Sequence, residues 1–205
     1  MSNSPLPSIY LLRHGQSEAN VAHLIVSNPT IGCSSYGLTD TGREKVRASA
    51  KAFVQEHSAA TRSDIAVVSS DFLRAKETAE IFASEVGFPA ESIQYDTRLR
   101  ERWFGSFDMA NDGSYKKMWE KDADGDSLDS IGAESTDSVA ARSMAAVKDH
   151  VKGGHKAVVF VSHGDVLQIL QTALLDMPPS QHRTAVDNID PGDLRRVDPR
   201  VNLGE

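Results

Sequence analysis

Short apolar segments alternate along the chain with amphipathic ones, and this pattern predicts strands followed by helices. Residues 8–13 (SIYLLR), 65–70 (IAVVSS) and 157–162 (AVVFVS) are apolar and β-prone, which is typical of buried strands. The last of these is apolar on both faces, so it is predicted to lie at the centre of a sheet. Residues 92–95 are predicted to form a short strand, and LRRV at 194–197 an edge strand.

Apolar residues at helical spacing predict four helices around these strands. The first opens at Leu38-Thr39, with Thr39 as its N-cap, and places Val46, Ala50, Phe53 and Val54 on one face. The other three are predicted over residues 71–86, 135–152 and 165–175. Glycine or proline follows each of these three segments, as expected at the end of a helix.

Two long polar segments interrupt the pattern. Residues 15–37 are predicted to form a loop, and residues 110–133 an acidic, solvated one. A calcium loop starting at Asp122 is rejected, because its sixth and twelfth positions hold Ser127 and Ala133 instead of glycine and glutamate. Segments 21–37 and 110–133 are expected to set ligand specificity.

Strands that alternate with helices indicate an α/β fold. We predict a three-layer α/β/α sandwich, with a mostly parallel central sheet and helices on both faces. A length of 205 residues fits one domain over residues 1–205, with flexible termini at 1–7 and 198–205.

Composition and charge narrow the classes of function. With 40% hydrophobic and 25% charged residues, the chain is typical of globular proteins, and it has no apolar run long enough to span a membrane. A net charge of −7 argues against nucleic-acid binding, although a few local arginines suffice for a small anion. The single Cys33 and the absence of a secretory signal predict a cytoplasmic protein.

Basic and imidazole side chains follow three of the predicted strands. Arg13-His14-Gly15 ends the first, Arg74 lies in the first turn after the second, and His163-Gly164 ends the third. Loops at the carboxyl ends of parallel strands meet in one crevice, so these groups are expected to converge. Two guanidinium groups, histidine N–H donors and helix N-termini favour phosphate as the ligand.

Five motifs in this order give the chain a resemblance to a known family. They are Arg13-His14-Gly15, the helix with Ser70, Arg74-Ala75 and Thr78-Ala79, LRERWFG with Glu101, GAES at 132–135, and VSHG at 161–164. Over about residues 8–175 the chain resembles the histidine phosphatase superfamily, the phosphoglycerate mutase-like family, and in particular its phosphatase branch.

The resemblance implies roles for the matching residues. His14 would be the nucleophile that forms a phosphohistidine. Neighbouring cations would keep its attacking nitrogen unprotonated, and a backbone carbonyl would fix its tautomer. Arg13, Arg74 and His163 would bind the phosphoryl oxygens, joined by Gly164 and secondarily by Asn20. Glu101 would be the general acid and base. The family chemistry needs no metal and no cofactor.

The resemblance implies a metal-independent phosphomonoesterase that acts on a small phosphorylated metabolite, and two alternatives stay open. Mutase relatives carry a long insertion after the glutamate loop, whereas Glu101 and His163 are 163 − 101 = 62 residues apart, as in the phosphatases. A mutase and a non-catalytic phospho-ligand binding protein are the alternatives. The expected partner is a small phosphomonoester, without nucleic acid or membrane, and a homodimer is allowed.

Several other residues have weaker claims to a function. Phosphatase relatives often read Phe-Gly-x-Trp-Glu-Gly, whereas residues 104–109 are Phe-Gly-Ser-Phe-Asp-Met, which leaves the substrate open. Arg102, Trp103, Lys116 and Lys117 are predicted to be solvated or to pack, with contact to the substrate as the alternative. Surface or packing roles are also predicted for the remaining histidines, which are His23, His57, His150, His155 and His182.

Overall fold

The protein is described by a computed structural model that covers residues 6–57 and 64–204. Its strands are β1 (Ser8–Arg13), β2 (Ile65–Ser69), β3 (Gln94–Tyr95), β4 (Ala157–Ser162) and β5 (Leu194–Val197). Its α-helices are α1 (Glu18–Val21), α2 (Pro29–Gly32), α3 (Asp40–Glu56), α4 (Leu73–Val86), α5 (Tyr115–Asp124), α6 (Thr136–His150) and α7 (Gly164–Leu174). Short 3-10 turns connect several of them, including Thr97–Leu99, Gly105–Phe107 and Pro179–Gln181.

The strands form one sheet in the order β3-β2-β4-β1-β5. The first four strands in this order are parallel, and β5 runs antiparallel to β1 at the edge, as predicted. In register, Arg13 of β1 lies beside Ser162 of β4, and Ser69 of β2 lies beside Val161. The carboxyl ends of β1, β2 and β4 therefore meet at one edge of the sheet.

Helices cover both faces of the sheet, which confirms the predicted three layers. Ile9 and Leu11 of β1 pack in a core with α6 and α7, whereas Tyr10 and Leu12 pack in a second core with α3 and α4. Every residue of β4 is buried, in agreement with its predicted central position. Alternate side chains of a strand point to opposite faces, so one strand contributes to both cores.

The helix boundaries agree closely with the sequence pattern, with two corrections. Thr39 caps α3 by accepting a hydrogen bond from the Gly42 N–H. Val54, predicted on the buried face of α3, is 41% exposed, because it lies about 100° around the helix from the buried Phe53. Helix α4 begins at Leu73 rather than at residue 71, since Phe72 is still in extended conformation.

The two segments predicted as loops both contain helices. Segment 15–37 includes α1 and α2, and segment 110–133 includes α5. Helix α5 forms because Met118 is fully buried in a small core with Ile25 and Phe104. The prediction of a wholly solvated acidic loop is therefore wrong at Met118 and also at Asp122, which is buried.

The structure describes the carboxyl end of the chain as far as residue 204 and the amino end from residue 6. Residues 198–204 were predicted to belong to a flexible terminus, yet Leu203 is fully buried in the core beside α6 and α7. At the amino end, residues 1–5 lie outside the described residues. Within the described parts of the chain, every helix is too short or too polar to cross a membrane.

Candidate active site

A cavity of about 340 Å³ opens at the carboxyl edge of the sheet. Six predicted site residues line it, namely Arg13, His14, Asn20, Arg74, Glu101 and Gly164. His163, the seventh, is fully buried behind this surface, with its ring centroid 5.3 Å from that of His14. The parallel strand ends thus bring together the residues that the sequence predicts to converge.

His14 follows β1 and is held as a neutral imidazole. Its Nδ1 lies 2.8 Å from the Gly15 carbonyl oxygen, and its Nε2 lies 3.1 Å from Nε of Arg74. A guanidinium only donates, so Nε2 is the acceptor and Nδ1 carries the proton. Burial, and then the charges of Arg74 and Arg13, lower the pKa of His14 well below its usual value. The predicted carbonyl contact is present, and burial contributes more than the predicted cations.

Gly15 is required because its backbone packs directly against α3. A Cβ at this position would lie 2.6 Å from the carbonyl oxygen of Gly42 in α3. The backbone after His14 therefore presses directly on α3, and this contact helps to fix the imidazole.

Arg13 and Arg74 supply buried, incompletely satisfied donors. Nη1 of Arg13 donates to the Ile189 carbonyl at 2.9 Å, and Nη2 of Arg74 donates to the Val26 carbonyl at 3.0 Å. Nε of Arg13 and Nη1 of Arg74 are buried and have no hydrogen-bond partner among the described residues. Buried donors normally have partners, so these two are suited to an anion in the cavity.

Glu101 lies after the turn Thr97–Leu99 and is 8% exposed. Its Oε1 accepts a hydrogen bond from the Arg102 N–H at 3.0 Å, and its Oε2 lies 3.5 Å from Nη2 of Arg74. Burial raises the pKa of Glu101 to about 7, with Arg74 opposing and Asp165 adding to the shift. A carboxyl group with this pKa can both donate and accept a proton near neutral pH.

His163 precedes α7 and contacts both Ser70 and Glu101. Its Nε2 lies 3.0 Å from Oγ of Ser70, and its Nδ1 lies 3.8 Å from Oε2 of Glu101. Burial, followed by the charge of Arg74, lowers the pKa of His163 well below its usual value. With the Ser70 hydroxyl donating to Nε2, the proton is on Nδ1, which is buried and has no partner among the described residues.

Asn20 and Gly164 offer weaker contacts. Oδ1 of Asn20 accepts hydrogen bonds from the Ser17 N–H and hydroxyl groups, which form the cap of α1. Only the NH2 group of Asn20 is therefore suited to bind a ligand oxygen. Gly164 is the first residue of α7, where the helix dipole favours an anion.

Gly164 also leaves room for Arg13, which allows a direct test. A Cβ at position 164 would lie 2.8 Å from Cζ of Arg13. Because the far end of an arginine can move, Gly164→Ala is expected to fold and to displace the guanidinium, lowering kcat/KM for phosphomonoester hydrolysis about 10- to 100-fold. Steady-state kinetics with Gly204→Ala as the control measures this, and unchanged kinetics would refute the proposed position of Arg13.

Several cavity residues were missed in the sequence. Tyr115 and Trp119 of α5 and Arg183 line the cavity, as does Asp165, whose Oδ1 accepts a hydrogen bond from Nε1 of Trp119 at 2.8 Å. The spacing of Tyr115, Met118 and Trp119 at i, i+3 and i+4 is a helical signal that was available. Arg183 lies in an irregular segment and has no comparable signal.

Arg102 is the centre of a buried ionic cluster. It is fully buried, donates to both carboxylate oxygens of Asp122 at 2.7 Å, and donates to Oδ2 of Asp165 at 3.1 Å. The prediction that Arg102 packs in the interior is confirmed, and the alternative that it is solvated is wrong. The cluster links the Glu101 loop to α5 and α7.

No group of three or more histidine, cysteine, aspartate or glutamate side chains suited to a metal ion occurs within residues 6–57 and 64–204.

Comparison with known proteins gives a consistent match. A family profile described as "Histidine phosphatase superfamily (branch 1)" matches residues 9–199. A glucosyl-3-phosphoglycerate phosphatase of Mycolicibacterium vanbaalenii is 32% identical over 186 residues, covering 83% of this chain and 75% of that protein. A protein named "Probable phosphoglycerate mutase GpmB" of Photorhabdus laumondii is 32% identical over 182 residues, covering 85% of this chain and 78% of its own.

Solved structures show the same architecture. A mycobacterial glucosyl-3-phosphoglycerate phosphatase in complex with VO3 has a TM-score of 0.71 and 26% identity, over 92% of this chain and 90% of that one. A structure named "Mycobacterial hydrolase 1" has a TM-score of 0.73 and 26% identity, over 92% and 87% of the two chains. The fold is thus shared over almost the whole chain.

Proposed function

The chain belongs to the histidine phosphatase superfamily, and we propose that it hydrolyses a small phosphomonoester through a phosphohistidine on His14, without a metal ion. One observation carries the proposal: the unprotonated Nε2 of His14 accepts a hydrogen bond from Nε of Arg74 at the cavity, beside buried arginine donors without partners among the described residues. When the ester binds, this hydrogen bond is exchanged for one to a phosphoryl oxygen, which frees the lone pair for attack. Those donors supply the positive charge that a metal ion supplies in other phosphoryl-transfer sites.

In the first step, Nε2 of His14 attacks phosphorus and the bond from phosphorus to the ester oxygen breaks. The N–H groups of Arg13, Arg74 and His163 stabilise the negative charge on the phosphoryl oxygens as the reaction proceeds. Glu101, protonated below its pKa of about 7, donates its proton to the leaving alcohol. The products of this step are the alcohol, phosphohistidine and a glutamate carboxylate.

In the second step, water replaces the histidine at phosphorus. The Glu101 carboxylate takes a proton from the attacking water, and the bond between phosphorus and Nε2 breaks. The electron pair of that bond returns to the imidazole as the lone pair, and inorganic phosphate leaves. The hydrogen bond from Nδ1 to the Gly15 carbonyl holds the ring in one tautomer throughout.

The short segment between the LRERWFG and VSHG motifs favours hydrolysis over transfer of the phosphoryl group within the substrate. Two α-helices, α5 and α6, and short 3-10 turns lie between Glu101 and β4, and the cavity is open to solvent on the side of Asn188 and the exposed Arg183. Water can therefore reach a phosphohistidine. The mutase is the second candidate, since several relatives are named as phosphoglycerate mutases.

The substrate class proposed is a small phosphorylated metabolite that fits about 340 Å³. Support comes from two relatives named for phosphate esters of glycerate. We place the reaction in the cytoplasm, supported by the single Cys33, which forms no internal disulfide. Net charge of −7 supports a small-molecule partner over nucleic acid.

The test is a panel of phosphomonoesters incubated with the protein and excess chelator. We expect release of inorganic phosphate at the same rate with and without chelator. Both phosphate and isomerised product are measured, because a mutase would move the phosphoryl group with little release. Dependence on added metal would refute metal independence, and tight phosphate binding without any turnover would support a binding protein instead.

A further inference from the structure

Arg183 is the cationic cavity residue that the proposed mechanism does not use. It lies just after the turn Pro179–Gln181, at least 19 residues after the VSHG motif, and it lines the same cavity as His14 and Arg74. No carboxylate of the described residues forms an ion pair with it, and its Nη1 donates a hydrogen bond to the neutral side-chain oxygen of Gln168. A cationic group that lines a ligand cavity without a counter-ion is suited to an anion.

The Arg183 guanidinium lies over an aromatic ring. Its Cζ lies 3.7 Å from the ring centroid of Trp119, which is a close cation-π contact. Stacking uses the face of the guanidinium and leaves its edges, which carry the N–H groups, in the plane. An arginine in this position can offer two parallel N–H groups to a carboxylate or phosphate.

The ring beneath Arg183 is itself fixed. Nε1 of Trp119 donates to Asp165 at 2.8 Å, and the indole stacks on Tyr115 with centroids 5.4 Å apart and planes at 10°. Asp165 in turn accepts hydrogen bonds from Arg102 and His182. Arg183 therefore rests on a preorganised support, and little side-chain freedom is lost when it binds a ligand.

This cation is separate from the groups assigned to the transferred phosphoryl group. Arg13, Arg74 and His163 follow strand ends at the base of the cavity, whereas Arg183 and Asn188 come from the segment between α7 and β5. The reaction needs no further cation on the phosphoryl group. We infer that Arg183 binds a second anionic group of the substrate, a carboxylate or a second phosphate, and so selects doubly anionic phosphomonoesters.

The inference rests on the proposed function for its turnover assay, and a matched substrate pair tests it. The protein is assayed with 3-phosphoglycerate and with glycerol 3-phosphate, which differ in having a carboxylate or a hydroxymethyl group. Propane-1,3-diyl bisphosphate and 3-hydroxypropyl phosphate form the corresponding pair for a second phosphate. We expect kcat/KM about 10- to 100-fold higher for the doubly anionic member of at least one pair, mainly through KM.

Variants then locate this preference. Arg183→Ala is expected to reduce the ratio of kcat/KM within the pair about 10- to 100-fold. Arg183→Lys is expected to restore part of that ratio, because lysine keeps the positive charge but lacks the two parallel N–H groups of the guanidinium. Arg200→Ala removes one exposed positive charge outside the cavity and should leave the ratio unchanged. A preference in only one pair identifies the anion as carboxylate or phosphate.

Binding measurements separate this inference from the proposed function. Calorimetric dissociation constants for both members of each pair are compared in His14→Ala and in His14→Ala/Arg183→Ala, neither of which consumes ligand. Preference for the second anion in the first variant and its loss in the second would support the site even if no ester were hydrolysed. Equal affinities within both pairs in His14→Ala, or an equal loss for all ligands on removing Arg183 from that variant, would overturn it.

Discussion

Replacing His14 with alanine is expected to reduce phosphate release by at least about 10⁴-fold. The substitution removes the nitrogen that forms the bond to phosphorus, and the neighbouring arginines can bind the ester but cannot substitute as nucleophiles. Initial rates of phosphate release are the first measurement. The second is acid-labile label on the protein after a short incubation with a radioactive phosphate ester, which is expected for the wild type and not for the variant.

The matched control for this variant is His155→Ala. His155 precedes β4 at the amino end of the strand, on the edge of the sheet opposite the cavity. This control is expected to keep wild-type turnover and labelling, while circular dichroism checks that both variants are folded. Turnover by His14→Ala within tenfold of the wild-type rate would show that the phosphoryl group does not pass through this histidine.

Glu101→Gln is expected to lower kcat/KM, which reports the first step alone, about 10²- to 10⁴-fold for esters of simple alcohols. The amide keeps the shape of the side chain but has no acidic proton for the leaving oxygen. The loss should be smaller for 4-nitrophenyl phosphate, because nitrophenolate leaves without being protonated. Steady-state rates with both kinds of ester measure the difference, with the exposed Glu91→Gln as control. Equal losses for both esters would argue against an acid role.

The dependence of kcat/KM on pH is a second test of Glu101 as the general acid. Glu101 has its pKa raised to about 7, so it is protonated and able to donate below that pH. The wild-type kcat/KM should therefore fall as pH rises through about 7, since this constant reports the free enzyme up to the first irreversible step. Glu101→Gln should lack that fall. Comparing the two proteins on one substrate removes the contribution of the ester's own ionisation, and identical profiles would contradict the assignment.

The fold and the base of the site were predictable from the sequence because they depend on local pattern. Continuous apolar runs in SIYLLR and AVVFVS indicate which strands are buried, and parallel strands must bring their carboxyl ends together. That constraint is enough to bring His14, Arg74 and His163 into one place. The tautomer of His14 also followed, since a buried imidazole needs an acceptor for its N–H group.

The wall of the cavity was not predictable in the same way. Helix α5 is stable because Met118 packs against Ile25 and Phe104, which are distant in sequence. The position of Arg183 depends on a contact with Trp119 across 64 residues, since 183 − 119 = 64. Pairings of this kind leave no periodic signal in a single sequence. The burial of Arg102 likewise depends on Asp122 and Asp165, which no local rule connects.

The unpartnered donors of Arg13, Arg74 and His163 also bear on how the enzyme is inhibited by its own product. Inorganic phosphate can bind the same donors as the ester does, so it is expected to compete with substrate and to raise the melting temperature. Because phosphate has to leave before the next ester binds, accumulating product is expected to slow turnover.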